Sequence, residues 1–165
     1  MFNICIKYHK YRTYTQSAGC IAVGKAFYQG KHYEGAEFCT LVSSWSVKEN
    51  FVKGIQDLNG FYALISQHDN RLFVAVDRVR SIPLFYAQKA DEFYLSDCAD
   101  WVREQVGNTE LDPIAKEEFL LTGYVTGSDT LFPNVKQIQA GECIFIEEIP
   151  EGINVKKHRY YQYIH

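Results

Sequence analysis

The 165-residue sequence predicts an α+β fold with one continuous core. Apolar and polar residues alternate with strand periodicity in several short segments, and helical patterns separate these segments. Short turns between successive strands favour antiparallel pairing. Aromatic residues make up 15% of the chain and are mostly Tyr and Phe, which favours sheet. A chain of this length can bury such a core without disulfide or metal staples.

In the first half, residues 2–8 alternate in polarity and predict a strand. Residues 20–23 form a short apolar strand that ends at Gly24. Ser46 and Glu49 have the spacing of a capping box, which predicts that a helix begins there. The apolar residues that follow fall on one helical face, so we expect the helix to pack against the sheet.

The second half predicts a strand meander and two helices. The strands cover residues 61–67, 72–76, 84–88, 93–95 and 143–146. Asp97 is predicted to cap a short helix over residues 99–106. Asp112 precedes a proline at the first helical turn, and the helix that begins there is expected to end at Gly123.

Composition excludes several classes of partner. The formal net charge is −3, and the pI is near 5.9, so nothing favours binding to nucleic acid. No apolar run reaches the length of a membrane span, and the first residues lack the layout of a signal peptide. We therefore expect a cytoplasmic protein that binds neither nucleic acid nor membrane.

The cysteines and histidines do not predict a metal site. The cysteine number is odd, and no two cysteines have a C-x-x-C spacing, which favours reduced thiols in a cytosolic protein. No histidine pairs with a cysteine or carboxylate at a metal-ligand spacing. The residues considered are Cys5, Cys20, Cys39, Cys98, Cys143, His9, His32, His68, His158 and His165.

A series of motifs in the second half resembles the glutaminase domain of asparagine synthetases, which are class II glutamine amidotransferases. Residues 58–65 read Leu-Asn-Gly-Phe-Tyr-Ala-Leu-Ile, and residues 77–86 read Asp-Arg-Val-Arg-Ser-Ile-Pro-Leu-Phe-Tyr. Residues 93–97, 111–113, 123–124, 130–132 and 159–161 match further family segments in the same order. The resemblance implies an N-terminal nucleophile hydrolase architecture: a four-layer sandwich of two stacked antiparallel sheets flanked by helices.

The first half departs from that family at the positions that carry its chemistry. The family begins with a catalytic cysteine, whereas this chain begins Met1-Phe2-Asn3. Gly24 matches the glycine of the family's oxyanion motif, but Val23 replaces the asparagine beside it. Residues 40–46 contain no carboxylate where the family holds the substrate amine.

We therefore predict no catalytic, cofactor-binding or metal-binding residue, and no cofactor. Gly24, Asp77 and Arg78 are the candidates for a remnant pocket. Asp77 and Arg78 have a structural alternative, in which the pair orders the edge of the sheet and the next strand.

The predicted function is that of a non-catalytic amidotransferase domain that supports an ATP-dependent, amide-forming synthetase. That partner, of the ATP-pyrophosphatase type, would be separate or missing, because the family's Ser-Gly-Gly-x-Asp-Ser loop does not occur in this sequence. Residues 1–165 would form a single domain with a degenerate first half, and residues 152–165 would form a linker-like tail toward the synthetase.

Two other functions stay open. In the first, the chain is an active glutaminase that uses Cys5 or Cys20 as a nucleophile exposed by processing. In the second, it is a regulatory or interaction domain that binds glutamine or a similar small molecule. A homo-oligomer is compatible with each function. The basic and aromatic tracts at residues 7–12 and 156–161 have a solvated strand face as their main interpretation, and the second could mark a docking site for the partner.

Overall fold

The computed structural model describes residues 3–8 and 11–163, without the side chain of Asn3. Met1, Phe2, His9, Lys10 and His165, which entered the expectations above, lie outside the described residues. The chain divides into two compact units. The four-stranded unit contains the N-terminal strand and residues 83–139, and the seven-stranded unit contains residues 11–82 and 140–163.

The described strands and helices follow one another in mixed order along the chain. The strands are β1 (Asn3–Lys7), β2 (Thr15–Ser17), β3 (Cys20–Tyr28), β4 (Lys31–Glu34), β5 (Asn59–His68), β6 (Arg71–Val76), β7 (Phe85–Lys89), β8 (Glu92–Ser96), β9 (Lys136–Gln137), β10 (Glu142–Ile149) and β11 (Gly152–Arg159). The helices are α1 (Gly35–Ser43), α2 (Lys48–Asp57), α3 (Ala99–Val106) and α4 (Pro113–Thr122).

The seven-stranded unit is an antiparallel sheet in the order β11-β10-β6-β5-β3-β2, with β4 paired to β3. Its core lies between this sheet and helices α1 and α2. Phe51 of α2 packs against Phe73 of β6 and Phe145 of β10, with ring centroids 5.3 and 6.1 Å away. All three rings are buried, so these aromatic contacts fix the helix on the sheet.

The four-stranded unit has the strand order β1-β8-β7-β9. Strand β1 runs parallel to β8, whereas the other pairs are antiparallel. Helix α3 buries Val102 beside Ala87 and Tyr94 of the sheet. Asp112 caps α4 by accepting a hydrogen bond from the Ala115 amide at 2.9 Å.

The prediction of an α+β fold with two sheets and helices is confirmed, and so are most of the predicted elements. Strands β5, β6, β7, β8 and β10 and helices α3 and α4 lie where the sequence placed them. Whether residues 1–165 act as one domain stays a prediction. The expectation of purely antiparallel pairing was wrong for β1, which a long connection carries to the edge of its sheet.

Two predicted helix caps were wrong. The N-cap of α2 is Val47, and that of α3 is Cys98, and neither side chain makes a capping hydrogen bond. Three elements were not predicted: α1, β4 and β9. Strand β11 was predicted only in part, as the solvated strand face at residues 156–161. Residues 152–159, expected to belong to a linker-like tail, form β11, which pairs with β10 along its whole length.

A pair of buried tyrosines joins the C-terminal segment to the centre of the seven-stranded sheet. The hydroxyl oxygens of Tyr62 and Tyr160 are 3.1 Å apart, and the Tyr160 hydroxyl donates to the Val76 carbonyl oxygen at 2.6 Å. Burial raises the pKa of both phenols above the ordinary tyrosine value. Both side chains therefore stay protonated in the folded protein over the whole neutral range.

We expect the Tyr160→Phe variant to lose about 1–3 kcal/mol of unfolding free energy, because two buried polar groups lose their partner. Above about pH 10 the unfolded chain releases phenolic protons that the folded protein keeps, so stability falls as the pH rises. The fall should be shallower in Tyr160→Phe than in the wild type. Urea unfolding at neutral and alkaline pH measures both effects, and equal pH slopes would contradict the assignment.

Candidate functional site

The carboxylate of Asp77 lies at the end of β6 and is fully buried. Its oxygens accept hydrogen bonds from the amides of Tyr62 at 3.1 Å, Val79 at 2.9 Å and Ser81 at 3.1 Å. The Ser81 hydroxyl also donates to it. A carboxylate has about four lone-pair sites, and here several of them are occupied by the protein itself. This supports the structural alternative for Asp77.

The backbone of Asp77 extends the same set of contacts. Its carbonyl oxygen accepts from the amides of Arg80 at 3.1 Å and Gly141 at 3.0 Å, and its own amide donates to the Tyr62 carbonyl at 3.1 Å. The residue therefore connects β5, the turn after β6 and the start of β10. The sharp turn is the local reason why the chain leaves the sheet at this point.

Arg78 follows directly, and its guanidinium is held in a fixed position. Its Nη2 donates to the Gln56 carbonyl oxygen at 2.8 Å, and its Cζ lies 4.5 Å from the centroid of the Tyr161 ring. The Nε atom is buried and has no hydrogen-bond partner among the described residues. A cation held against an aromatic face with spare donors is arranged to attract negative charge.

Asp77 and Arg78 line a cavity of about 480 Å³ in the seven-stranded unit. The wall contains residues from β3, β4, the start of β5, the turn after β6 and the C-terminal segment, and basic, amide and aromatic side chains are among them. The lining residues are Lys25, Ala26, Phe27, His32, Asn59, Gly60, Phe61, Asp77, Arg78, Val79, Tyr161 and Tyr163. This volume lies within the range of small-molecule sites.

Gly24 does not line this cavity, and its conformation has a structural explanation. Its φ is +87°, and a Cβ placed on it would lie 2.0 Å from the Phe61 carbonyl oxygen. A glycine is thus required at this position of β3, because the backbone of the paired strand β5 leaves no room for a side chain. Beside it, Val23 is buried and presents an aliphatic side chain. The structure therefore brings two of the three remnant-pocket candidates together and leaves the third apart.

Within residues 40–46, the hydroxyl groups of Thr40, Ser43 and Ser44 donate to backbone carbonyls of the chain itself. Thr40 donates to the Ala36 carbonyl at 2.9 Å, and Ser43 donates to the Cys39 carbonyl at 2.8 Å. These bonds are intrahelical and belong to α1. No carboxylate occurs in this segment, so it has no group that would hold a substrate amine.

Three of the five thiols are inaccessible. Cys20, Cys39 and Cys143 are fully buried, whereas Cys5 and Cys98 are half-buried, and none forms a disulfide. The contact with Cys39 and burial raise the pKa of Cys20, and burial raises the pKa of Cys143 to about 12. Such thiols are protonated at neutral pH and are therefore poor nucleophiles.

The described residues contain no group of three or more potential ligands that could hold a metal ion. In the same part of the chain, no helix is both long and apolar enough to cross a membrane.

Several cavity residues were not predicted as site residues from the sequence. Lys25, Phe27 and His32 come together because β3 and β4 form a hairpin in which Phe27 pairs with His32. Gly30, with a φ of +79°, lies in the turn between them, but β4 has too few apolar residues to be recognised as a strand from the sequence. Tyr161 and Tyr163 follow β11, which was expected to be a linker.

A sequence model described as a glutamine amidotransferase domain matches residues 40–161, which is most of the chain. The chain belongs to this glutamine amidotransferase family. The match begins before the motifs quoted above and therefore also includes α2 and the second half of α1.

Comparison of structures gives the same fold. Two solved structures each align with a TM-score of 0.50 and 14% sequence identity. One is the glutamine phosphoribosylpyrophosphate amidotransferase from B. subtilis complexed with ADP and GMP, and the other is described as the allosteric regulatory enzyme of purine biosynthesis. They align over 92% and 93% of this chain. The chain spans 31% of each of them, so it corresponds to about a third of their length. No curated protein sequence matched.

We expect Asp77→Asn to destabilise this amidotransferase domain by about 2–4 kcal/mol, because several bonds to a buried charge are weakened at once. Asp69→Asn is the matched control, since Asp69 is exposed at the β5–β6 turn and its positive φ suits asparagine. Thermal and urea unfolding measure the difference. Equal stability of the two variants would show that the Asp77 contacts are not important for folding.

We expect iodoacetamide at about pH 8 to modify Cys5 and Cys98 first in the folded protein, because burial limits access to the other three thiols and raised pKa values also limit the ionisation of Cys20 and Cys143. Peptide mass mapping over time identifies the order of modification. A denatured sample, in which all five cysteines should react, is the control. Fast modification of Cys20 or Cys143 before unfolding would contradict the burial described above.

Proposed function

We propose that this chain is a degenerate class II amidotransferase domain that does not hydrolyse glutamine and that supports an ATP-dependent, amide-forming synthetase. The observation that carries the proposal is the side chain of Val23, which is buried at the position where the asparagine synthetase motif has its oxyanion asparagine. Amide hydrolysis requires a thiol, a base and donors directed at the developing oxyanion. An aliphatic side chain is not a donor, and loss of one such donor lowers kcat by about 10²–10³.

A second observation supports the loss of activity. Gly24, the remaining part of that motif, is accounted for by its positive φ and by the close approach of Phe61. Its presence therefore does not indicate a working oxyanion site. The segment at residues 40–46 likewise lacks a carboxylate for the substrate amine.

The alternative of an active glutaminase with a processed cysteine fits the structure less well. Cys20 is the first residue of β3 and follows a tight turn at Ala18 and Gly19, both of which have positive φ. Cleavage at that turn would remove β1 and β2. Cys5 lies in the middle of β1, where it pairs with Tyr94. Processing that exposed Cys5 would cut β1, and processing that exposed Cys20 would remove two strands of the fold.

The synthetase partner is proposed from the resemblance to asparagine synthetases in residues 58–161. The absence of a Ser-Gly-Gly-x-Asp-Ser loop in this chain supports a partner that supplies the ATP site. Five free cysteines support a reducing, cytoplasmic compartment. A domain that binds a small amino acid remains the second candidate, favoured by the cavity at Asp77 and Arg78.

We expect the purified protein to release ammonia from glutamine no faster than a heat-denatured sample, because the oxyanion donor is missing. A coupled glutamate or ammonia assay measures this, with an active class II amidotransferase as the positive control. Cys5→Ala and Cys20→Ala variants are matched controls. Saturable ammonia release that one of these variants abolishes would establish the active glutaminase instead.

A further inference from the structure

We propose that the cavity around Arg78 binds a small anion carried on a flat, apolar body, such as an aromatic carboxylate or a nucleoside phosphate. This inference goes beyond the proposed function, since it requires neither glutamine hydrolysis nor a synthetase. It rests on three properties of the cavity: its uncompensated positive charge, the fixed position of Arg78 and the aromatic wall.

The charge of the cavity is positive. Among the described residues of its wall, the two cations Lys25 and Arg78 outnumber the one carboxylate, Asp77. The amides of Tyr62, Val79 and Ser81 satisfy the hydrogen bonding of that carboxylate without cancelling its charge. Within residues 3–8 and 11–163, Lys25 forms no ion pair, although Glu34 lies opposite it in the β3–β4 ladder. Lys25 and Arg78 therefore leave positive charge that an anion would neutralise.

The guanidinium of Arg78 is held in one orientation without a ligand. The bond from its Nη2 to the Gln56 carbonyl and the contact with the Tyr161 ring fix the plane of the guanidinium. The hydrogen bond to Gln56 uses one of its five donors, so Nη1 and the second hydrogen of Nη2 stay available. A fixed guanidinium loses little side-chain entropy when it binds, which favours affinity.

The position of Tyr161 is itself fixed by the sheet. Its amide donates to the Gly141 carbonyl oxygen at 3.1 Å. A Cβ on Gly141, whose φ is +66°, would lie 2.5 Å from the Tyr161 carbonyl oxygen. The C-terminal segment therefore packs directly on the turn before β10, and this contact keeps the aromatic ring beneath Arg78.

The aromatic wall suits a flat ligand. Phe27 and His32 meet edge to face at 5.3 Å, and Tyr161 and Tyr163 meet in the same manner at 5.1 Å. Phe61 is 61% exposed, which is high for a phenylalanine on a strand. An aromatic ring stacked on these faces would bury apolar surface while its anionic group meets Arg78.

The experiment compares three probes by isothermal titration calorimetry on the full chain: naphthoate, its neutral analogue naphthamide, and adenosine monophosphate. We expect naphthoate or the nucleotide to bind at least about tenfold more tightly than naphthamide. Tighter binding of naphthoate would indicate a carboxylate ligand, and tighter binding of the nucleotide would indicate a phosphorylated one. If neither anion binds more tightly than naphthamide, or if neither anion shows saturable binding, the proposal is overturned.

Charge variants locate the site. Arg78→Gln and Lys25→Gln should each weaken anion binding by about tenfold, the order expected for a charge-assisted bond. Lys53→Gln removes an equal charge from the exposed face of α2 in the same unit and should leave binding unchanged. Circular dichroism verifies folding, and Lys25→Gln keeps the test valid if Arg78→Gln unfolds. Equal losses in all three variants would show a nonspecific charge effect and contradict the site.

Discussion

The buried carboxylate of Asp77 connects parts of the seven-stranded unit that are far apart in sequence. Its oxygens hold β5 through the Tyr62 amide and the turn after β6 through Val79 and Ser81. Its carbonyl oxygen holds the turn before β10 through Gly141. A buried charge is costly unless it is fully hydrogen-bonded, so this arrangement favours one conformation of the turn over others. The direction in which Arg78 leaves the sheet follows from that turn.

The same constraint determines where the cavity lies. The turn places Arg78 against the carbonyl of Gln56 at the end of α2, and Gly141 places Tyr161 beneath the guanidinium. Tyr160, the residue before Tyr161, is held in the core by the hydrogen bond between its hydroxyl and that of Tyr62. A sheet held by buried polar contacts at the ends of its central strands thus presents aromatic and cationic groups on a rigid support. This organisation does not depend on any group of a glutaminase site.

Much of the fold could be predicted from the sequence because β5, β6 and β10 are continuous apolar segments bounded by turn residues. Helix α4 could be predicted from Asp112 and Pro113, because a helix cap depends only on residues that are neighbours in the sequence. Helix α1 was missed because it begins at Gly35 and contains weak helix formers, and tertiary burial of Phe38, Cys39 and Val42 stabilises it. Strand β11 was predicted only in part, as the solvated strand face at residues 156–161, because its lysines conceal the alternation before them. The cavity could be predicted only in part, at Asp77 and Arg78, because its wall combines five segments that only the folded chain brings together.

Gly24 has a consequence for how related sequences are interpreted. The backbone of Phe61 excludes a side chain at this position whether or not the protein is an enzyme. Selection for packing alone would preserve the residue after catalysis had been lost. A survey that used this glycine as a diagnostic of glutaminase activity would therefore count inert descendants among working enzymes, whereas the neighbouring position, Val23 in this chain, would separate them.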